Sequence, residues 1–138
     1  MPKGRAGGKI LTGQMEMVTQ AQAERLARDW LAALGRRDPE GLLARCAEEV
    51  ELTSPFVTQL LGDPRGTIRG KATLRMYFSL AFSLFPDLTV TLLRVYTGVD
   101  SLVVEYRGAE DQLAAEMLVL NPAGQIVRVH CHYSPESP

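Results

Sequence analysis

A chain of 138 residues, 46% of them hydrophobic, can bury one sizeable core but is too short for two full domains. Its formal charge of −1, from 15 basic and 16 acidic residues, gives no long-range field that would attract nucleic acid or an anionic membrane. There is no uninterrupted apolar run of the ~20 residues that cross a bilayer, and Ile10-Leu11 is too short for a secretory signal, so we expect a cytoplasmic protein.

Two helices are predicted first, and the second of them is short. A capping box, Thr19-x-x-Gln22, begins the first helix, and Gly35 ends it. Its buried stripe has three-to-four spacing and consists of Ala23, Ala27, Trp30, Leu31 and Leu34. The second helix begins where Asp38 supplies an N-cap and Pro39 the first helical position. Its apolar stripe consists of Leu42, Leu43 and Cys46.

The middle of the chain combines a strand, a loop and a third helix. Hydrophobic and polar residues alternate over 50–53, which predicts a strand that ends at Ser54-Pro55. The segment 56–69 has no clear period, so we expect a long irregular loop there. A third helix begins at Gly70-Lys71 and ends before Pro86. It is apolar on more than one face and should therefore contact the sheet and a second surface.

The last part of the chain predicts a meander of strands at residues 88–96, 101–106, 112–120 and 125–133. Short turns join these strands, and short links between successive strands require antiparallel pairing. The alternation in the first of them breaks at Leu93, which predicts a β-bulge in a strongly bent sheet. We therefore expect a flexible or disordered segment at 1–18 and one α+β domain at 19–138, with three N-terminal helices packed on a curved antiparallel sheet.

Two blocks of sequence resemble a known family. The first consists of Trp-Leu-Ala-Ala-Leu at 30–34, Asp38, Gly41, Ala-Glu-Glu-Val at 47–50 and Ser54-Pro55. The second is EMLVLNPAGQI at 116–126. In this order they resemble the nuclear transport factor 2-like superfamily, which includes steroid Δ-isomerases and SnoaL-like polyketide cyclases. The resemblance implies a cystatin-like cone, in which the helices and the curved sheet enclose a small-molecule pocket.

The resemblance assigns three isomerase roles to positions of this chain, and one role keeps its chemistry. The tyrosine of the isomerase oxyanion hole corresponds to Trp30, whose indole N–H donates a hydrogen bond but exchanges no proton. The general base corresponds to Ser54, which has no useful basicity of its own. The acid of the oxyanion hole corresponds to Glu116, which keeps the carboxyl and adds a methylene.

Glu116 is the candidate catalytic residue, because its neighbours over 113–120 are all apolar. If its side chain lies on the core face, desolvation raises the carboxyl pKa and makes the group a neutral donor or a proton shuttle. The alternative is a carboxyl that points outward or is merely satisfied by Trp30 or a tyrosine.

A flat apolar ligand could lie between helices and sheet, where aromatic rings provide contact area and tyrosine hydroxyls provide orientation. The candidate ligand-binding residues are Trp30, Ser54, Phe56, Phe78, Phe82, Tyr106, Leu118 and Tyr133. The same rings could instead fill an ordinary core. Cavity volume distinguishes the two cases, because a ligand pocket needs ~300 Å3 or more.

His130 and His132 are alternate residues of the last strand and so share one face, but no third ligand has a recognisable metal-site spacing. The better core face consists of Val127, Val129, Cys131 and Tyr133, which puts both histidines on the outer surface. The segment 66–72 lacks the spacing and the hydroxyl of a phosphate-binding loop. We therefore expect neither a metal nor a cofactor.

These features predict a protein that binds a hydrophobic small molecule in an apolar, cone-shaped pocket. They leave open isomerase- or cyclase-like proton transfer by Glu116, without the usual steroid isomerase base. The alternative is a non-catalytic, dimeric interaction module with a filled core. Val103, Met117 and Val119 would form an apolar strip on the outer sheet face, so we expect a homodimer through that face and no nucleic-acid or membrane partner.

Overall fold

The computed structural model describes residues 17–135, so nearly all of the segment expected to be flexible, 1–18, lies outside the described residues. The helices of the described part are α1 (Gln20–Gly35), α2 (Pro39–Leu43), α3 (Pro55–Leu61) and α4 (Lys71–Leu84). The strands are β1 (Cys46–Thr53), β2 (Thr67–Arg69), β3 (Thr91–Thr97), β4 (Ser101–Arg107), β5 (Leu113–Leu120) and β6 (Ile126–Tyr133). A single 3-10 turn at Ala109–Asp111 precedes β5.

The capping signals of α1 and α2 are confirmed. Thr19 Oγ1 accepts a hydrogen bond from the Gln22 backbone N–H at 3.0 Å, and the Gln22 side chain accepts one from the Thr19 N–H at 2.9 Å. At the start of α2, the Asp38 carboxylate accepts a hydrogen bond from the Gly41 N–H at 3.1 Å, and Pro39 occupies the first turn. Local side-chain chemistry thus determines where these helices begin.

The six strands form one sheet in the order β2-β1-β6-β5-β4-β3. The meander from β3 to β6 is antiparallel throughout, as predicted. In contrast, β1 pairs with β6 in parallel, so the sheet is mixed rather than wholly antiparallel. Short turns determine the orientation of successive strands, whereas β1 and β6 are separated by most of the domain and have no such local signal.

The segment 56–69 is not an irregular loop, because it contains most of α3 and all of β2. Ser54 Oγ accepts a hydrogen bond from the Phe56 N–H at 3.1 Å, and Pro55 lies in the first turn of α3. Ser54-Pro55 therefore ends β1 and begins a helix. Gly62 ends α3 in the left-handed conformation, with φ of 76°.

Cys46 belongs to β1 and not to the second helix, which is a further correction. The strand begins at Cys46 rather than at residue 50. The register of β1 against β6 shifts between Cys46 and Glu51, and this irregularity interrupts the alternation by which a strand is recognised in the sequence.

Two bulges bend the sheet around the helices. The register of β3 against β4 shifts between Leu92 and Arg94, which confirms the bulge predicted at Leu93. The pairing of β5 with β6 shifts at Ile126, and Val127, expected on the core face, is only half-buried. Bulges increase local bending and twist, so they help the sheet to curve around one core.

The core lies between the helices and the inner face of the sheet. It includes the fully buried residues Leu42, Leu52, Leu74, Leu118 and Val129. Within residues 17–135, no helix has both the length and the apolar character needed to span a membrane. The fold is the predicted α+β cone, with one more helix than expected.

Candidate functional site

A mainly apolar cavity opens between α1, α4 and the inner face of the sheet. About 90 Å3 of it is open to a water-sized sphere, which exceeds the voids of a packed core but falls below the ~300 Å3 of a drug-sized pocket. Seven of the nine predicted site residues line this cavity: Trp30, Phe56, Phe78, Phe82, Tyr106, Glu116 and Tyr133. The other two, Ser54 and Leu118, are buried but do not form part of its wall.

Glu116 lies on the inner face of β5 and is only 5% exposed, so of the two orientations that the sequence left open the structure has the inward one. Its carboxyl accepts a hydrogen bond on each oxygen. Trp30 Nε1 donates to Oε1 at 2.8 Å, and the Tyr106 hydroxyl donates to Oε2 at 2.5 Å. The neighbouring strand β4 carries Tyr106, and α1 carries Trp30, so three separate elements hold one carboxyl in the cavity wall.

Burial raises the pKa of the Glu116 carboxyl above its usual value. The hydrogen bonds from Tyr106, Trp30 and Cys131 act in the opposite direction, because they stabilise the ionised form, but desolvation is the larger effect. The carboxyl therefore stays protonated to a higher pH than an ordinary glutamate does. The two oxygens have four lone pairs in all, and Trp30, Tyr106 and Cys131 occupy three of them, so one lone pair is left for a proton exchanged with a molecule in the cavity.

Ser54 is a helix cap. Its hydroxyl accepts the hydrogen bond from Phe56 that begins α3. The same hydroxyl interacts with Tyr77, Tyr133 and Cys131. Burial raises the pKa of each of these three groups, and the hydrogen bond with Ser54 partly opposes that rise. These groups are therefore neutral hydrogen-bonding groups at neutral pH, and the Cys131 thiol is a poor nucleophile.

Aromatic rings form much of the remaining wall. Phe56 meets Tyr133 edge-on, with 4.8 Å between ring centroids, and lies 5.9 Å from Phe85. Phe78 and Phe82 stack with centroids 6.0 Å apart. Phe56, Phe82, Phe85 and Tyr133 are only partly buried, so they form the side of the cavity nearest to solvent.

The cavity residues that were not predicted include Tyr77, Phe85, Gln112 and Cys131. The sequence does contain a signal for two of them, since Gln112 alternates with Ala114 and Glu116, and Cys131 alternates with Tyr133. Tyr77 lies on α4, the helix predicted to be apolar on more than one face, and periodicity does not separate cavity wall from core.

Gly108 allows the Tyr106 ring to occupy its position. A Cβ added at Gly108 would lie 3.0 Å from Tyr106 Cε2, which is too close for an unstrained contact. Gly108 also lines the cavity, so the absence of a side chain there contributes to the geometry of the Tyr106–Glu116 hydrogen bond.

The histidines lie away from the cavity wall. His132 is exposed, and His130 is half-buried beside Met117 and Thr53 on neighbouring strands. Among residues 17–135, no three His, Cys, Asp or Glu side chains are close enough to hold a metal ion.

Burial raises the pKa of the Cys46 thiol to about 11, as for an inert core cysteine.

Comparison with known structures supports the cone. A protein with a cystatin-like fold from Methylobium petroleophilum is 18% identical, with a TM-score of 0.68, and the match covers 88% of this chain and 82% of that one. SalBIII, described as an epoxide hydrolase/cyclase-like enzyme in pyran ring formation in salinomycin, is 15% identical, with a TM-score of 0.67 and coverage of 86% and 95%. At such identities the likeness shows the fold alone.

Closer similarity identifies the family. A SnoaL-like protein of unknown function from Burkholderia thailandensis is 34% identical, with a TM-score of 0.83, and the match covers 86% of this chain and 99% of that one. A search of curated proteins gives no match. The SnoaL-like domain family matches residues 27–132, which include the second half of α1, the other three helices and almost the entire sheet. This chain therefore belongs to the SnoaL-like family.

Proposed function

We propose that this protein binds a small, mainly apolar ring compound in the cavity and that Glu116 transfers a proton to or from it. The observation that carries the proposal is the buried Glu116 carboxyl, held by Trp30 and Tyr106 in a wall that is otherwise mostly aromatic and aliphatic. A carboxyl with a raised pKa and a fixed position suits proton exchange with a carbonyl or enol at neutral pH.

The proposed reaction class is isomerisation or cyclisation through one acid–base group. Trp30 cannot exchange a proton, and Ser54 is engaged as the cap of α3, so neither provides a second proton-transfer group. A general base typically contributes ~10²–10⁴-fold to a rate, and we therefore expect no efficient Δ5-3-ketosteroid isomerase activity. The description of SalBIII as cyclase-like adds an analogy and nothing more.

Hydrogen–deuterium exchange of 2-tetralone in D2O tests the proton transfer. The Glu116 carboxylate would take a proton from the carbon beside the ketone and form the enolate. After exchange with solvent, the acid would return a deuteron to the same carbon. Proton NMR should detect exchange faster than in buffer, and Glu116→Gln should lower the enzymatic part by ~10²–10⁴-fold. Equal exchange by wild type and Glu116→Gln would rule out a catalytic Glu116.

Binding is measured separately with 2-naphthol by isothermal titration calorimetry. Wild type should bind this probe, and Phe82→Trp, which adds bulk to the cavity wall, should weaken binding. Leu93→Trp is the matched control, because Leu93 lies on the edge strand β3 and is 43% exposed. Failure of wild type to bind would contradict the ligand-binding proposal.

A second candidate is a dimeric interaction module with a filled core, and the small cavity volume favours it. Its interface would be the outer sheet face, where Val103 and Met117 are directly paired across β4 and β5 and both are partly exposed. The homodimer is compatible with either function. If the module is the whole function, the protein should be dimeric yet bind no 2-naphthol.

A further inference from the structure

Gln112 lies immediately before β5 and is held there by the turn that precedes it. Its backbone N–H donates to the Ala109 carbonyl at 3.0 Å, and its own carbonyl accepts from the Gly108 N–H at 2.9 Å. Both partners also line the cavity. The Gln112 backbone is therefore fixed on both sides by a closed turn.

The side-chain amide of Gln112 is also fixed. Its Nε2 donates a hydrogen bond to the Ser134 carbonyl at 2.6 Å, and Ser134 in turn donates its N–H to the Leu113 carbonyl at 2.9 Å. The amide nitrogen is thus engaged by a backbone acceptor. The remaining polar atom of the side chain is the carbonyl oxygen Oε1. Within residues 17–135, no protein hydrogen bond to this oxygen meets ordinary distance and angle limits.

Gln112 immediately precedes β5, Glu116 lies four positions further along the chain, and both side chains line the cavity. In extended backbone this spacing corresponds to about 13 Å between the two Cα atoms. The Gln112 amide is held by the Ser134 carbonyl and the Glu116 carboxyl by Trp30 and Tyr106, so the Cα separation sets the scale of the distance between the two polar ends. Between them lies Ala114, whose small side chain also lines the cavity and leaves room for a flat molecule.

This spacing defines a ligand length. Subtracting two hydrogen bonds of about 2.7 Å each from the 13 Å separation leaves about 8 Å between two ligand oxygens. A fused two-ring skeleton with oxygen at opposite ends has this length. At the inner end the ligand oxygen would meet Glu116, and at the outer end it must donate a hydrogen, because Oε1 of an amide only accepts.

We propose that Gln112 is a specificity-determining residue that selects flat ring compounds with a hydroxyl at the end opposite to the oxygen held near Glu116. The inference rests on the proposed function, since it needs a ligand in the same cavity. It assigns the substrate class as a ring compound with two oxygen functions, of which the outer one is a hydrogen-bond donor.

Three probes differ only in the outer group: 2-naphthol has none, naphthalene-2,6-diol has a hydroxyl, and 6-methoxy-2-naphthol has an oxygen that cannot donate. Calorimetry on wild type should give the diol roughly three- to ten-fold tighter binding than either other probe, the factor that one neutral hydrogen bond contributes. Gln112→Leu should remove this preference. The diol has two equivalent hydroxyls, and the statistical advantage that this gives is the same in wild type and in Gln112→Leu. The test is therefore the ratio of the diol preference of wild type to the diol preference of the variant.

Gln125→Leu is the matched control, because Gln125 is exposed on the turn between β5 and β6 and does not line the cavity. It should leave all three affinities unchanged. An unchanged diol preference in Gln112→Leu overturns the inference, as does equal binding of the diol and the methoxy compound by wild type. The wild-type comparison decides alone if Gln112→Leu does not fold. If all three probes bind equally, only the inference fails; if none binds wild type, the proposed ligand binding fails as well.

Discussion

Replacing Glu116 by glutamine should change how stability depends on pH while preserving the fold. In the variant, Oε1 can still accept from Trp30 Nε1, and Nε2 can donate to the Tyr106 hydroxyl, so both hydrogen bonds have a counterpart. Glutamine has nearly the shape of glutamic acid but no ionisable proton. The difference between the two proteins therefore isolates the titration of a single buried carboxyl.

The sign of the effect follows from the raised pKa of Glu116. Its contribution to stability is fully present below the unfolded pKa of about 4.3 and is lost as the pH rises through the folded pKa, because the unfolded state ionises more readily. Each unit between the unfolded and the folded pKa corresponds to about 1.4 kcal/mol of the free energy of unfolding. Glu116→Gln should show none of this loss. Glu116→Ala should be less stable at every pH, by about 1–3 kcal/mol for each donor left without an acceptor.

Urea denaturation followed by circular dichroism, repeated from acidic to mildly alkaline pH, gives the free energy of unfolding of each protein. The folded protein lowers the pKa values of Asp38 and Glu40, so both groups reduce its stability at acidic pH. This loss is common to both proteins and cancels in the difference between them. The advantage of glutamine over the wild type should grow as the pH rises. Parallel profiles, with a constant difference between the two proteins, would refute the raised pKa and with it the proposed acid.

Three other predictions address the supporting structure. Gly108→Ala should cost about 1–3 kcal/mol, because its Cβ displaces the Tyr106 ring, and an NMR titration should show a further rise in the Glu116 pKa. Ser54→Ala should lower the free energy of unfolding by about 0.5–2 kcal/mol through loss of the α3 cap; a greater loss of 2-naphthol binding than of stability would instead indicate a direct contact. Val103→Glu should turn the proposed homodimer into a monomer in analytical ultracentrifugation, and a wild-type monomer at micromolar concentration would contradict the dimer.

Local signals predicted much of the fold. The capping box at Thr19 and the Asp38-Pro39 pair determine helix starts through contacts a few residues apart, so they are visible in the sequence. The break in alternation at Leu93 predicted a bulge for the same reason. Strand alternation grouped Glu116 with Ala114 and Leu118 on one face, which a regular strand such as β5 preserves, but it left open whether Glu116 points inward.

What the sequence did not predict depends on packing over long distances or on competing local signals. The parallel pairing of β1 with β6 joins strands from opposite ends of the domain. Ser54-Pro55 is compatible with both a strand end and a helix start, and the second possibility was missed. Whether an aromatic residue such as Tyr77 lines a cavity or fills a core depends on the exact placement of neighbouring elements. The cavity volume depends on the same placement.

Glu116 is a buried acid with a raised pKa, and its side chain lines the cavity in which we propose that a ligand binds. Carbon-13 NMR of the glutamate side-chain carboxyls, with Glu116→Gln to assign the signal, measures its titration in the free protein and with saturating 2-naphthol. Burial should give Glu116 a pKa above the ordinary value of about 4.3 in the free protein, and probe binding should change that pKa further. An ordinary pKa, unchanged by the bound probe, would contradict this prediction.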